Sequence, residues 1–235
     1  MIRLYVDASL SENQQVGLNE NQSHYVQKVM RLKYDDIIFL FNGKDGEWQA
    51  RITHTGKKTT EVSLVSQQRL QSDKGNLCLL FSPLKPKRQE FLVEKATELG
   101  VSCLWPIRCE RTSIPKVNLE KMRAQAVEAA EQCGRLDVPE IKDLTPLAHL
   151  LNNWAQEGML LFGDETMTSP SLATITREPD QFYGFFVGPE GGFTLSERTL
   201  LKSHSRTCGV TLNPHILRAE TAALVGISCL QLIKI

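Results

Sequence analysis

The sequence withholds the signatures of several large classes of chemistry. Its six cysteines (Cys78, Cys103, Cys109, Cys133, Cys208 and Cys229) are scattered with no CxxC pair. That excludes a disulfide framework or a cysteine zinc site as the organising principle and predicts reduced, mostly buried thiols. His24, His54, His149, His204 and His215 show no metal spacing, so no metal is expected. Lys+Arg and Asp+Glu are equal at 27 each, so a polyanion would have to be held by a local basic patch and not by bulk charge. The start, MIRLYVDASL, lacks the apolar core of a signal peptide, and no apolar run is convincing as a membrane span. A cytoplasmic protein without a membrane partner is the expectation. Neither GxxxxGK[ST] nor GxGxxG occurs, which argues against a nucleoside triphosphate and against an ordinary dinucleotide fold. Repeats and low-complexity tracts are absent as well.

What is present divides in two. Residues 1–70 read as short strands at Arg3–Val6, Asp36–Phe41, Trp48–Thr53 and Glu61–Val65, with turn signals at Asn42-Gly43, Lys44-Asp45-Gly46 and Thr55-Gly56. A helical stretch, Ser23–Met30, interrupts them, and the whole predicts a small β-barrel-like module. Gln67–Asn76 is polar, and residues 71–76 are assigned to a linker. From 77 to 235 strand and helix alternate. Strands are expected at Leu77–Phe81, Ser102–Ile107, Met159–Phe162, Phe182–Val187 and Cys208–Leu212. Helices are expected at Arg88–Leu99, from an Asn118 cap to Cys133, at Pro146–Glu157, at Leu195–His204 and from Ile216 onward. This pattern implies an α/β domain with a mainly parallel sheet covered on both faces. Ala219–Ile235 is apolar nearly all round, as a helix buried in the fold or against a second copy would be.

The chemistry concentrates in a few segments. Gly188-Pro189-Glu190-Gly191-Gly192 follows an apolar strand and precedes a capping box, Thr194-Leu195-Ser196-Glu197. Glycine lets a ligand approach bare backbone, and ligands of open α/β sheets lie at the carboxyl ends of strands. The loop has no lysine for a phosphate. The same spacing also suits a simple tight turn. Downstream, GVTLNPHILRAETAAL (Gly209–Leu224) runs from a strand into a helix carrying Arg218, Glu220 and Thr221. It reads either as a salt-bridged helix start or as a second loop facing the first. On the helix from Asn118, Leu119, Met122, Ala126, Ala129 and Cys133 form the candidate buried stripe, and Glu131 and Arg135 stand four apart on another face. Basic clusters occur at His24, Lys28, Arg31 and Lys33, at Lys85, Lys87 and Arg88, and at Arg108 and Arg111. Singly each is a solvated surface; around one cleft they would form a phosphate track.

Together these segments resemble one family. GPEGGFTxxE followed by LxxxILRxETA is similar to the C-terminal signature of the RsmE family, S-adenosylmethionine-dependent methyltransferases of the SPOUT (α/β-knot) class. Glu94–Gly100, Pro106, Glu110-Arg111-Thr112-Ser113 and Glu128–Pro139 resemble its upstream motifs. His24-Tyr25 through Met30-Arg31-Leu32, then Asn42-Gly43 and Gly46-Glu47-Trp48, resemble its PUA-like RNA-binding domain. Asn213 and His215 stand where the family commonly has glycine and arginine.

The resemblance implies methylation of N3 of a uridine in 16S ribosomal RNA, in the small subunit, by a homodimer with a trefoil-knotted C-terminal domain. It implies three cofactor loops: Leu161-Phe162-Gly163; Gly188-Pro189-Glu190-Gly191-Gly192; and Leu212-Asn213 with Ile216, Leu217, Arg218, Thr221 and Ala222. Arg218 is the choice to stabilise a deprotonated uracil, with Glu190 or Glu220 taking the proton or orienting Arg218. RNA contacts are assigned to Arg3, His24, Lys28, Arg31, Lys33, Lys85, Lys87, Arg111 and Arg135. The alternatives are a SPOUT enzyme of other base specificity, a non-enzymatic RNA-binding protein, and a nucleotide-using transferase.

Overall fold

The computed structural model describes residues 2–154, 158–178 and 181–232. The chain splits into two compact units, Met1–Lys74 with Ala130–Val138, and Gly75–Ala129 with Pro139–Ile235.

In the first unit β1 (Arg3–Tyr5), β2 (Gln15–Leu18), β3 (Ile37–Phe41), β4 (Glu47–Thr55) and β5 (Thr60–Arg69) form a mixed sheet in the order β1-β3-β4-β5-β2. Only β1 and β3 pair in parallel. Alternating side chains, among them Leu4, Val16, Ile38, Leu40, Ile52, Val62 and Leu64, close its main core, and Phe41 joins Ala130 and Leu136 in a smaller cluster. Register shifts along β4 and β5 bend the ribbon around that core. Strand β2 has no counterpart in the sequence reading, because QVGL is too short and too polar to announce itself. The polar residues Gln67 and Arg69 are strand and not linker, held by pairing to Trp48 and Glu47. The helix starts earlier than Ser23: Asn19 and Gln22 form a reciprocal capping box for α1 (Glu20–His24), which continues as a π-helical turn, Tyr25–Val29.

Two expected RNA contacts are instead spent on this unit. Arg3 is nearly buried. Its Nε meets Glu47 Oε2 at 2.5 Å, Nη1 reaches the carbonyls of Ala130 and Glu131 at 3.2 Å each, and Nη2 reaches that of Arg135 at 2.7 Å. Four of the five N–H donors of that fork are thus used within the unit, which leaves little for a phosphate. Arg135 is similarly committed, pairing with Asp137 through Nε at 3.1 Å and Nη2 at 3.0 Å, with both side chains largely covered.

In the second unit the elements run β6 (Leu77–Phe81), α2 (Pro86–Glu98), β7 (Cys103–Arg108), α3 (Leu119–Cys133, whose residues from Ala130 on belong to the first unit), β8 (Glu140–Ile141), β9 (Thr145–Pro146), α4 (Leu147–Trp154), β10 (Met159–Gly163), β11 (Tyr183–Val187), α5 (Leu195–Ser203), β12 (Thr207–Val210) and α6 (Ala219–Leu232). Every pairing is parallel, in the order β12-β10-β11-β6-β7-β8, with β9 also beside β7. The central strands LCLLF and YGFFV are buried at every position, which is why they read as unbroken apolar runs. One face carries Trp154, Phe162, Phe186, Phe193 and Leu201; α2 and α6 pack together, with α6 against β11 and β6.

Several boundaries differ from expectation. Residues 216–218 precede α6, and the expected end of the helix at 155–157 and the last three residues lie outside the described residues. Three cysteines are buried, but Cys133 is exposed, its place in the stripe of α3 taken by Ala130. Among the described residues no helix is long and apolar enough to cross a membrane.

Helix α6 lies flush on the sheet at Gly226, where a Cβ would come within 2.1 Å of Phe185 Cε1. Gly226→Ala should therefore destabilise this unit by about 3 kcal/mol through overpacking, read as a lowered urea midpoint.

Candidate active site

Strands β10, β11 and β12 are neighbours and parallel, so their carboxyl ends open on one edge of the sheet. The loops that follow them frame a cavity of about 530 Å³, the size of a small-molecule site. Gly163 to Met167 comes from the first loop, Gly188–Gly192 from the second, and Thr211 to Ala219 from the third. The pairing of the glycine loop with the LNPHILR segment is thus realised in space.

The first loop is organised by Asp164. Its side chain is fully buried, and it accepts from Thr166 N at 3.1 Å, Thr166 Oγ1 at 2.6 Å and Ser169 Oγ at 2.6 Å, with Lys202 Nζ at 3.0 Å. Burial by itself would raise this carboxyl, but the hydroxyl bonds and Lys202 outweigh it and hold it well below the usual carboxylate range. The loop so fixed presents Met167, at φ 56°, to the cavity.

The second loop turns through Gly192 N donating to Pro189 O at 2.8 Å. Gly192 sits at φ 69°, and a Cβ there would lie 2.8 Å from Glu165 Oε1, so both backbone and space require glycine. Immediately after it, Thr194 and Glu197 form the expected capping box of α5. The other oxygen of Glu197 accepts from Glu110 N at 2.7 Å, tying the loop after β7 to the same point. In that loop burial pushes the Cys109 thiol far up, and the carboxylates of Glu197 and Glu110 add to it, which disfavours the thiolate.

The third loop is closed by Asn213 Oδ1 accepting from His215 N at 2.9 Å. Asn213 is not in the left-handed region, so this turn needs no glycine; an Asx turn serves. Arg218 precedes α6 and its carbonyl takes the first helical bond, from Ala222 N at 2.8 Å. Its side chain is exposed, lines the cavity and makes no ion pair among the described residues. Across the cavity, Arg88 is ion-paired with Glu190 and lies 3.7 Å from Glu220. Glu220 Oε2 is buried without a hydrogen-bond partner.

Most expected site residues meet here, with corrections. Leu161, Phe162 and Thr221 do not line the cavity, the first two because their side chains belong to the core. Asp164, Glu165, Met167 and Arg88 line it without having been assigned there; an acidic pair after an apolar strand was the available signal for two of them. Among the basic residues, His24, Lys28, Arg31 and Lys33 are exposed and make no ion pair among the described residues, and Lys85 and Lys87 are exposed. Arg111 instead donates to Gly191 O at 2.8 Å. Beside Lys33, Tyr34 is 69% exposed, an aromatic face the sequence reading passed over. The described residues contain no cluster suited to a metal ion.

Because Asp164 is held low in the folded state, its contribution is complete above the ordinary carboxylate range and is lost only as pH falls through its own lower value. The stability gap between wild type and Asp164→Asn should be constant from neutral pH down to about pH 5 and shrink only below that. Urea denaturation at several pH values reads this out.

Comparison with known proteins agrees with this geometry. The family model described as an RNA methyltransferase domain matches residues 71–231, and that of an RNA methyltransferase PUA domain matches residues 18–65. The ribosomal RNA small subunit methyltransferase E of Rickettsia conorii is 34% identical, covering 98% of this chain and 95% of its own length. The Bacillus subtilis protein of the same name is 26% identical over 92% of this chain and 89% of its own. The crystal structure of the Neisseria gonorrhoeae ribosomal RNA small subunit methyltransferase E, bound to S-adenosyl methionine, matches with a TM-score of 0.91 at 30% identity, covering 99% of this chain and 98% of that one. A parallel sheet with three loops at one edge, a PUA-type unit before it and similarity along the whole length have one common account: the chain belongs to the RNA methyltransferase family whose members are named ribosomal RNA small subunit methyltransferase E.

Proposed function

We propose that this protein transfers a methyl group from S-adenosylmethionine to N3 of a uridine in 16S ribosomal RNA. The observation that carries this reading is the composition of the cavity wall. It combines glycine backbone and the apolar Leu212, Ile216 and Leu217 with carboxylates and two arginines, Arg88 and Arg218, and among its lining residues there is no lysine. Such a wall offers backbone groups and apolar surface to a neutral adenosine, and its carboxylates Asp164, Glu165 and Glu190 oppose a triphosphate. The residues present therefore fit the methyl donor.

S-adenosylmethionine supplies a methyl group already activated on sulfur. The protein has to align it, exclude water and manage the proton of N3; alignment of this kind can be worth ~7–11 kcal/mol. N3 lies on the pairing edge of the base, so the uridine must enter unpaired. Arg218, exposed at the cavity without an ion pair among the described residues, would stabilise negative charge developing on the uracil oxygens. Of the two candidate carboxylates only Glu190 lines the cavity, which favours Glu190 to receive the proton and Glu220 to orient Arg88. The exposed set His24, Lys28, Arg31 and Lys33 would hold RNA phosphates, with Tyr34 beside them offering a face on which a base can stack.

The same reading includes a cytoplasmic homodimer acting on the small subunit, with a trefoil knot in the second unit. Leu232 and Ile216, both large and exposed, offer apolar surface to a second copy.

The reading is tested by methylating small ribosomal subunits from a strain lacking the gene and mapping the modified base. A single N3-methyluridine is expected, and a different base or no product would refute the assignment. Arg218→Ala should keep the fold and the S-adenosylmethionine affinity yet lose about 10²–10³ in turnover, as removal of a single charge-stabilising donor does. Turnover within a few-fold of wild type would remove Arg218 from the mechanism.

A further inference from the structure

Two arginines that the sequence places in basic clusters are turned toward the glycine loop. Arg111 Nη1 donates to Gly191 O at 2.8 Å. Its aliphatic stem lies along the loop as well: Arg111 Cβ and Cδ are both 3.5 Å from where a Cβ on Gly191 would stand. The segment that carries Arg111 is itself fixed. Glu110 N donates to the buried Glu197 at 2.7 Å, Glu110 Oε1 accepts from Ser196 Oγ at 2.9 Å, Cys109 N donates to Thr112 Oγ1 at 2.8 Å, and the hydroxyls of Ser82 and Thr112 meet at 2.8 Å. From the first turn of α2, Arg88 is bonded to the Glu190 carboxylate and stands 3.7 Å from Glu220. Consecutive residues of the loop, Glu190 and Gly191, are thus each held by a different arginine, one through the side chain and one through the backbone.

Resting on the reading of this cavity as the methyl-donor site, we propose that Arg88 and Arg111 are positioning residues that clamp the Gly188–Gly192 loop in its donor-binding shape, and that Arg111 is not a phosphate contact. The loop needs such a clamp. Its glycines give it the freedom to approach a ligand and, by the same token, many conformations in which it does not. Fixing it beforehand lowers the ordering cost that binding would otherwise meet. The guanidinium fork matters at Arg88, where one side chain faces two carboxylates; an ammonium cannot span both in the same way.

The test measures two affinities on the full-length protein. Calorimetry with S-adenosylmethionine is run on wild type, Arg111→Ala, Arg111→Lys and Arg88→Lys. The affinity for small-subunit ribosomal RNA transcribed in vitro is measured for the same proteins at several salt concentrations. The clamp predicts an S-adenosylmethionine dissociation constant raised about tenfold in Arg111→Ala, consistent with loss of a charge-assisted bond, and partial recovery in Arg111→Lys. It predicts turnover at saturating donor within about threefold of wild type, and an unchanged dependence of RNA affinity on salt. Unchanged donor affinity in Arg111→Ala overturns the clamp, and a salt slope reduced by about one would then assign Arg111 to a phosphate. Should Arg88→Lys fail to fold, because one ammonium cannot meet both Glu190 and Glu220, the exposed Arg111 still decides. Wild-type protein that gives no heat with S-adenosylmethionine would refute the donor-site reading itself, a result distinct from failure of the clamp.

Discussion

The buried carboxylate of Glu197 is the interaction on which the geometry of the site depends. One oxygen caps α5 by accepting from Thr194 N, and the other accepts from Glu110 N in the loop after β7. A carboxylate removed from water needs donors to replace the lost hydration, and two backbone N–H groups supply them, one at the N-terminus of α5 and one in the loop after β7. Because α5 begins directly after the glycine loop, fixing its first turn fixes one end of that loop. Because Glu110 adjoins Arg111, the same carboxylate sets where that guanidinium can reach. A local capping motif therefore becomes a long-range brace between two residues 87 apart in sequence.

The wall of the cavity follows from the sheet behind it. Three adjacent parallel strands end on one edge, so three loops must meet there, and each is stiffened by its own polar device. In the first, Asp164 is surrounded by hydroxyls and Lys202; in the second, Gly192 turns back on Pro189; in the third, Asn213 closes a side-chain turn. Asp164, Gly192 and Asn213 line the cavity and at the same time fix the backbone of their own loops, so the groups that shape the wall are part of it.

The sequence made the sheet legible because its central strands are buried on both faces, and runs such as LCLLF and YGFFV can hardly do anything else. The capping boxes at Thr194 and the glycine loop were legible for a related reason: both are local, their partners lying three or four residues away. What escaped were features set by partners distant in sequence. Strand β2 exists because Val16 and Leu18 face the core and their backbone finds β5. Gln67 to Arg69 extend a strand because β4 continues beside them. The start of α6 was misplaced because Ile216 and Leu217 are as apolar as the helix they precede, and nothing in their composition reveals that they face a cavity.

Arginine is the residue for which this limit is sharpest. In sequence Arg3, Arg88, Arg111, Arg135 and Arg218 are indistinguishable positive charges. In the fold they do different work: Arg3 and Arg135 hold carbonyls and carboxylates of the first unit, Arg88 stands between two glutamates, Arg111 grips a loop carbonyl, and Arg218 alone of the five is exposed at the cavity without an ion pair among the described residues. The physical reason is that a guanidinium carries five donors on a long stem, so its role is decided by whichever acceptors the fold brings within reach. An arginine with its donors spent is a structural element whatever its charge. A free arginine at a cavity rim is the more informative sign, because holding an unpaired guanidinium beside partly dehydrated apolar groups has a cost that an incoming anion would offset. Charge counting from sequence cannot separate these cases, and net charge near zero hides them further; the separation comes only from accounting for each donor in the folded chain.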